Sequence, residues 1–93
     1  MTGPSGTGFE VRYDPRAAKE LSKLDPPTAR RVAAAITDLA ANPRPPGCRQ
    51  LTGHAGLWRI RVGDYRVIYT IRETALVVLV LRVAHRRDAY RDV

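Results

Sequence analysis

The sequence has little of several residue types, and each scarcity excludes a class of protein. A single cysteine in 93 residues rules out an intrachain disulfide and any site built from several cysteines. Two isolated histidines and no carboxylate cluster at ligand spacing predict a protein without a metal site or other cofactor. The longest apolar run, Ala75 to Leu81, is too short to span a bilayer, and the N-terminus lacks the features of a signal peptide. These absences predict a cytoplasmic protein that enters no membrane.

Acidic side chains and lysines are also scarce. Nine Asp and Glu stand against sixteen Lys and Arg, which gives a formal charge of +7 and a pI near 10.5. Only Lys19 and Lys23 are lysines, so most cations are arginines, whose planar guanidinium suits bidentate binding of phosphate or carboxylate. The composition favours a polyanionic partner such as nucleic acid, with simple solubility and genome-wide codon bias as the alternatives.

The chain is long enough for one small domain and a short leader. Its 44% hydrophobic content supports a single core but leaves no room for a second domain. Residues 1–8, MTGPSGTG, are small and polar and predict a disordered leader, so the domain spans residues 9–93. Within it, the alternation of Phe9, Val11 and Tyr13 with polar residues predicts a first strand over 9–14.

Two helices are predicted after this strand. Each begins with an aspartate cap followed by proline, at Asp14–Pro15 and Asp25–Pro26, because proline lacks the N–H that the first helical turn leaves unpaired. Apolar residues at helical spacing give each helix one apolar face, and the short link predicts an antiparallel hairpin. The proline- and glycine-rich stretch 42–56 is predicted to be a connector without regular structure.

The remaining residues predict a three-stranded antiparallel meander over 57–62, 65–72 and 75–83. Gly63–Asp64 has the composition of a two-residue hairpin loop with glycine first. A weaker turn before the last strand leaves its register open by one residue. That strand is apolar on both faces, which predicts a central or doubly covered position. The fold class is therefore α+β, with a strand, an antiparallel helix hairpin and the meander forming one sheet.

The first hairpin of the meander brings arginines together. With a two-residue loop, Arg61 pairs with Arg66, and Arg59 shares their face of the sheet, whereas Trp58 points to the core. Like charges directly opposite each other cost a few tenths to about 1 kcal/mol, so their retention indicates a binding site. The alternative is a solvated face on which the long side chains splay apart.

The C-terminal residues supply groups that transfer protons or bind phosphate. His85, Arg86, Arg87, Tyr90 and Arg91 lie within residues 85–91. Histidine titrates near neutral pH, tyrosine donates a proton or stacks on a base, and arginine holds a phosphate. Metal-free RNA cleavage by attack of the ribose 2′-hydroxyl on its phosphate needs such groups, because a proton is taken, another is given and a phosphorane is stabilised. A hydrogen-bonded strand-end histidine and a tyrosine that closes the core are the alternatives.

Over residues 9–93, the chain resembles the RelE/ParE superfamily of type II toxin–antitoxin modules. The resemblance is carried by the DPP link between the helices, the hairpin GDYRVIY and the ending VLRVAHRRD. RelE-like members cut messenger RNA in the ribosomal A site, whereas ParE-like members poison DNA gyrase without nuclease chemistry. The resemblance favours the RelE-like branch, and hence a ribosome-dependent endoribonuclease that inhibits translation. A gyrase inhibitor and a non-enzymatic nucleic-acid-binding module are the alternatives.

The resemblance also implies partners and residue roles. The partners would be a cognate antitoxin, the ribosome and messenger RNA, and the toxin–antitoxin complex would bind its operator DNA through the antitoxin. Arg61, Arg66 and Arg86 would brace the scissile phosphate, Arg59 would hold the RNA backbone, and Tyr90 would orient the substrate or transfer a proton. The predicted RNA-binding set is Arg59, Arg87 and Arg91.

Two features depart from the family pattern. The best-known ribosome-dependent members have lysines at the positions of Arg59 and Arg61, and arginine, which stays protonated in proteins, is a poor general base. The base would therefore be His85 or Tyr90, with His85 favoured on chemical grounds, or catalysis would be mainly electrostatic. The interval from Arg86 to Tyr90 is also shorter than in those members.

Overall fold

A computed structural model describes residues 8–91 of the chain, so the predicted leader lies, except for Gly8, outside the described residues. Within this range the chain forms two helices and five strands. The predicted α+β class is confirmed, and the sheet has one strand more than the four predicted. No helix in the described range is long and apolar enough to cross a membrane. In chain order the elements are β1 (Glu10–Tyr13), α1 (Pro15–Ser22), α2 (Pro26–Asp38), β2 (Arg49–Gln50), β3 (Trp58–Val62), β4 (Tyr65–Arg72) and β5 (Val77–His85).

Both helices begin at the predicted caps. The Asp14 carboxylate accepts a hydrogen bond from the Arg16 N–H at 2.9 Å, and α1 follows with proline in its first turn. The Asp25 carboxylate accepts from the hydroxyl and the backbone N–H of Thr28, at 3.0 and 3.2 Å. The hydroxyl and backbone donors of Thr28 hold the pKa of Asp25 below its ordinary value.

The five strands form one mixed sheet in the order β1-β5-β4-β3-β2. The predicted central position of the last strand is confirmed, because β5 lies between β4, which is antiparallel to it, and β1, which is parallel. A parallel neighbour requires a crossover connection, and the chain between β1 and β5 includes both helices.

Two boundaries in the meander differ from the prediction. The last strand runs over Val77–His85, because Leu76 has a positive φ of 55° and belongs to the preceding turn. The predicted irregular connector contains the two-residue strand β2, which pairs with β3. So short a strand shows no periodicity in sequence, and β3 supplies the partner that extends it.

The register of the β3–β4 hairpin is the predicted one, with Arg61 opposite Arg66 and Val62 opposite Tyr65. Gly63, in the loop, has a positive φ of 59°, which this turn requires at its first position. The next pair of strands contains a register shift, because Ile68 lies opposite Arg82 whereas Tyr69 lies opposite Val80.

The main core lies between the two helices and one face of the sheet. Trp58 packs partly buried against this core, as predicted, with the Arg44 guanidinium carbon 5.0 Å from its ring centroid. The opposite face has a smaller cluster formed by Ile68, Ala84 and Ala89, with Leu51 and Leu57 packed against it. The C-terminal residues and the β2–β3 loop therefore cover part of that face. The buried members of the main core are Ala17, Val32, Ile36, Leu39, Ile60, Val67, Tyr69, Val78, Val80 and Val83.

Candidate nucleic-acid interface

Four arginines share the face of the sheet that is opposite the helices. Residues directly across from each other on neighbouring strands project to the same face. Arg61 lies opposite Arg66 on β4, and Arg59 lies opposite Arg49 on β2. We call the surface formed by Arg49, Arg59, Arg61 and Arg66 the arginine face. Three of these residues are predicted from the sequence, and Arg49 joins them only because β2 pairs with β3.

The four side chains differ in exposure and in partners. Arg49 and Arg61 are exposed, whereas Arg59 is partly buried and its Nη1 is a buried donor without a hydrogen-bond partner. Arg66 is only 9% exposed, and its Nη1 donates to the carbonyl oxygens of Gly63 and Tyr65 at 3.1 and 3.0 Å. The hairpin turn thus holds the Arg66 guanidinium in place. Among residues 8–91, the ion pairs found involve other arginines, so the charge of the arginine face is not neutralised by a neighbouring carboxylate.

A buried ion pair anchors the C-terminal segment, residues 86–91. Arg82, 6% exposed, donates from Nη2 and Nε to the Glu20 carboxylate of α1 at 2.8 and 2.9 Å, and from Nη1 to the Arg91 carbonyl at 2.9 Å. The same carboxylate accepts from the Val83 N–H at 2.8 Å. Ala89 is fully buried in the small cluster. Two anchors therefore hold the segment that includes Tyr90.

Tyr90 lies beside His54, which belongs to the stretch 42–56 that is predicted to be an irregular connector. The Tyr90 side chain is 46% exposed and lines a depression of about 270 Å³ together with Leu51, Thr52 and His54. Leu51 packs against the small cluster on the side of the arginine face. The C-terminal segment and the β2–β3 loop thus bring two groups capable of proton transfer to this side of the sheet. Their sequence separation gave no signal of this proximity.

His85, the predicted proton-transfer residue, lies away from the arginine face. It ends β5 opposite Tyr65, whereas Arg66 lies opposite Ala84 in the neighbouring pair. Alternation along the strands puts His85 and Tyr65 on the helix side of the sheet, and their rings meet edge to face with centroids 5.7 Å apart. Its Nδ1 accepts from the Arg87 N–H at 3.2 Å. The structure therefore does not bring His85 to the arginine face.

The remaining predicted residues lie at the hairpin end and along the C-terminal segment. Arg86 is exposed; its N–H donates to the Asp64 carbonyl at 2.7 Å, and its Nε is 3.9 Å from the Asp64 carboxylate. Arg87 is exposed, and Arg91 pairs with Asp88 at 3.5 Å.

The arrangement fits binding of a polyanion and stabilisation of negative charge. Guanidinium groups hold phosphates through two parallel hydrogen bonds and remain protonated at all relevant pH values. Tyr90 and His54 add groups that exchange protons. Within the described residues, no group of three or more His, Cys, Asp or Glu side chains is placed to hold a metal ion.

Comparisons with known proteins show similarity along most of the chain. The family model of the ParE toxin of the type II toxin–antitoxin system parDE matches residues 11–90. Toxin RelG of Mycobacterium tuberculosis is 37% identical over 88 residues, which cover 89% of this chain and 97% of that protein.

Two solved structures extend the similarity to the fold. The toxin–antitoxin complex RelBE2 from M. tuberculosis matches with a TM-score of 0.76 and 32% identity over 85% of this chain and 99% of that one. The archaeal RelE–RelB complex from Pyrococcus horikoshii OT3 matches with a TM-score of 0.75 and 29% identity, over 87% and 98% of the two chains. The similarity thus includes the greater part of the described sheet and helices.

Proposed function

This chain belongs to the RelE/ParE superfamily and is a RelE-like toxin of a type II toxin–antitoxin system, and we propose that it acts as a ribosome-dependent endoribonuclease that cleaves messenger RNA. The arginine face is the observation that carries the proposal. It combines guanidinium groups that lack a carboxylate partner with Tyr90 and His54 on the same side of the sheet. Cleavage of the messenger would inhibit translation.

The arginines would stabilise the charge that develops during cleavage. Attack of the 2′-hydroxyl on the adjacent phosphate forms a phosphorane with additional negative charge, and fixed donors stabilise such a state best. Arg66 is fixed by its hydrogen bonds to the hairpin turn, and Arg61 is exposed directly opposite it. We assign the scissile phosphate to this pair. Arg59 would hold the neighbouring RNA backbone.

Proton transfer would fall to Tyr90 and His54. The arginines cannot act as bases because a guanidinium group does not give up its proton in proteins. His85, the candidate favoured by sequence, faces the helix side and contacts Tyr65 there. Arg86 would brace the substrate from the hairpin end, and the exposed Arg87 and Arg91 would contact the RNA backbone. Cleavage by this route requires no cofactor.

A cognate antitoxin is the proposed regulator. Both solved relatives described above are complexes of a toxin with an antitoxin. A chain of charge +7 suits a partner with acidic segments that fold on binding. We propose that this partner covers part of the arginine face, and that the complex binds operator DNA through the antitoxin in the cytoplasm.

The test is to induce the protein briefly in cells and to map new messenger 5′ ends. The variant Arg61→Ala with Tyr90→Ala removes two exposed side chains, and Arg30→Ala, an exposed arginine on α2, is the matched control. We expect cuts within translated codons for the wild type and the control, and none for the double variant. Growth arrest with intact messenger would refute the proposal.

The match to the ParE family model supports a second candidate, a DNA gyrase inhibitor without nuclease activity. In that case the arginines would serve a protein interface. Covalent gyrase–DNA complexes and SOS induction, with no new messenger ends, would identify this activity.

A further inference from the structure

We propose that Arg49 and Arg59 form a second phosphate site, which binds the RNA phosphate next to the one that is cleaved. The inference rests on the proposed function and extends it, because it assigns Arg49, on β2, to substrate binding. The structural basis is a repeat of one arrangement: a pair of arginines directly across from each other on neighbouring strands.

The two arginine pairs are successive rows of the same sheet face. Arg61 and Arg66 form the first row, and Arg49 and Arg59 form the second. Neighbouring strands lie about 4.8 Å apart, and residues two positions apart on a strand are separated by about 6.8 Å. A single RNA strand bound at the first row would therefore meet the second row within one nucleotide step.

A depression of about 340 Å³ lies beside the second row. Its lining includes both arginines of the second row, Arg49 and Arg59, together with Arg61 of the first row. The rest of the lining comes from the connector, residues 45–47, and from the helix side of the sheet, namely Ile60, Ala35 and Asp38. The depression therefore lies at the β2 edge of the sheet and opens between its two faces. Asp38 is the acidic side chain in this lining, and no ion pair within residues 8–91 joins it to the three arginines.

The second row lacks the partners that the first row has. The Arg66 guanidinium in the first row donates to two backbone carbonyls. In the second row, Arg59 Nη1 is buried without a hydrogen-bond partner, although buried donors are almost always paired. Arg49 adds a like charge directly opposite it. An anion in the adjoining depression would provide Arg59 with an acceptor after a turn of its side chain, and would offset the repulsion between the two guanidinium groups.

The chemistry favours a phosphate of RNA over a carboxylate of a protein partner. Both anions accept two parallel hydrogen bonds from arginine. The second row, however, lies one nucleotide step from the row to which the scissile phosphate is assigned, and a polynucleotide repeats its charge at every step. Continuity of the two rows thus points to a single strand of RNA.

Binding of two oligonucleotides to the full chain tests the inference. Both kinds are uncleavable 2′-O-methyl RNA of one sequence. One has phosphates throughout. The other has a neutral methylphosphonate in place of a single phosphate, and a series of such strands places this neutral linkage at each position in turn. For the wild type, we expect a several-fold loss of affinity at the position bound by the second row. In Arg49→Gln this loss should disappear. For the all-phosphate strand, the slope of log affinity against log salt should fall by the amount expected for the loss of about one phosphate contact.

The control variant is Arg30→Gln, which removes an exposed arginine from α2 and should retain the loss of affinity at the neutral linkage. The inference is overturned if Arg49→Gln behaves like this control. It is also overturned if Arg49→Gln leaves RNA binding unchanged and weakens only the binding of an acidic antitoxin peptide. Messenger cleavage on translating ribosomes, measured in parallel, decides the proposed function separately, since a wild type that binds RNA in two sites without cutting it would refute only the nuclease.

Discussion

The two histidines of this chain lie on opposite sides of the sheet. His54 lines the depression that contains Tyr90, whereas His85 makes an edge contact with Tyr65 on the helix side. A group that transfers a proton must be within hydrogen-bond reach of the reacting oxygen. Of the two histidines, His54 is the one that shares the side of the sheet with the arginine face, and on that ground we propose it as the proton-transfer group.

Replacing each histidine by glutamine separates these roles. We expect His54→Gln to lower the single-turnover rate of messenger cleavage on programmed ribosomes by about 10²- to 10⁴-fold, the usual contribution of general acid–base catalysis. His85→Gln should cut at close to the wild-type rate. Equal rates for His54→Gln and the wild type would remove His54 from the mechanism.

The residues of the site were predictable where local rules determine their positions. A two-residue loop fixes the register of a hairpin, so the pairing of Arg61 with Arg66 follows from the sequence. Arg49 and His54 could not be found in this way. Arg49 joins the arginine face because the two-residue strand β2 pairs with β3. His54 lies beside Tyr90 because the C-terminal segment folds back over the β2–β3 loop, which is distant in sequence.

At the scale of elements, the Glu20–Arg82 pair links α1, β5 and the C-terminal segment. The Glu20 carboxylate also accepts from the Val83 N–H, beyond the residues of β5 that pair with β1. One acidic side chain thus replaces a strand partner and holds the arginine that binds the Arg91 carbonyl.

Removing one partner of this pair should destabilise the domain and displace Tyr90. Breaking a buried ion pair by neutralising one member costs up to about 3–5 kcal/mol, and partial exposure of Glu20 lowers the expected value toward about 2 kcal/mol for Glu20→Gln. Chemical denaturation measures this loss. At a temperature where the variant remains folded, we expect a lower cleavage rate.

A double-mutant comparison shows whether that rate effect passes through Tyr90. In a Tyr90→Ala background, Glu20→Gln should slow cleavage no further, since the displaced group is already absent. An undiminished effect in this background would mean that the ion pair supports the fold without positioning Tyr90.

The cap of α2 gives a prediction about pH. Because hydrogen bonds from Thr28 lower the pKa of Asp25 in the folded protein, the cap stabilises fully above the unfolded value, near 3.8, and this contribution is lost as pH falls through the lower folded value. Asp25→Ala should lower the melting temperature at neutral pH. Asp25→Asn, which keeps an acceptor oxygen, should lower the melting temperature less. In a plot of melting temperature against pH, this variant should lose the part of the decrease at acidic pH that protonation of Asp25 causes. An unchanged decrease at acidic pH in Asp25→Asn would contradict the assignment.

Element boundaries were predictable for the helices and less so for the sheet. The cap-then-proline pattern marks the start of both helices, since it acts through neighbouring residues. The pairing of β1 with β5 is parallel and spans most of the chain, so no local pattern indicates it. The turn at Leu76 was likewise not predictable, because its positive φ is adopted by a leucine and not by a glycine.

At the scale of the whole molecule, ion pairs distribute the positive charge unevenly. Within residues 8–91, carboxylates pair with arginines outside the arginine face. The pairs between different elements or loops join Glu20 to Arg82, Glu73 to Arg44 and Asp64 to Arg86. Within the same residues the arginine face has no such partner, so its four guanidinium groups keep their full positive charge.

This distribution predicts which arginines control the salt dependence of RNA binding. Each phosphate contact releases condensed counterions, so losing one contact lowers the slope of log affinity against log salt by about 0.7 for a single strand. Arg61→Gln should lower the slope by this amount. Arg12→Gln removes the same formal charge from an arginine already paired with Glu10 at 3.0 Å, and should leave the slope nearly unchanged. Affinity of the two variants and the wild type for one uncleavable RNA, measured by fluorescence anisotropy from about 50 to 200 mM salt, makes the comparison. Equal slopes for the two variants would mean that net charge alone attracts RNA and that the arginine face is not the binding surface.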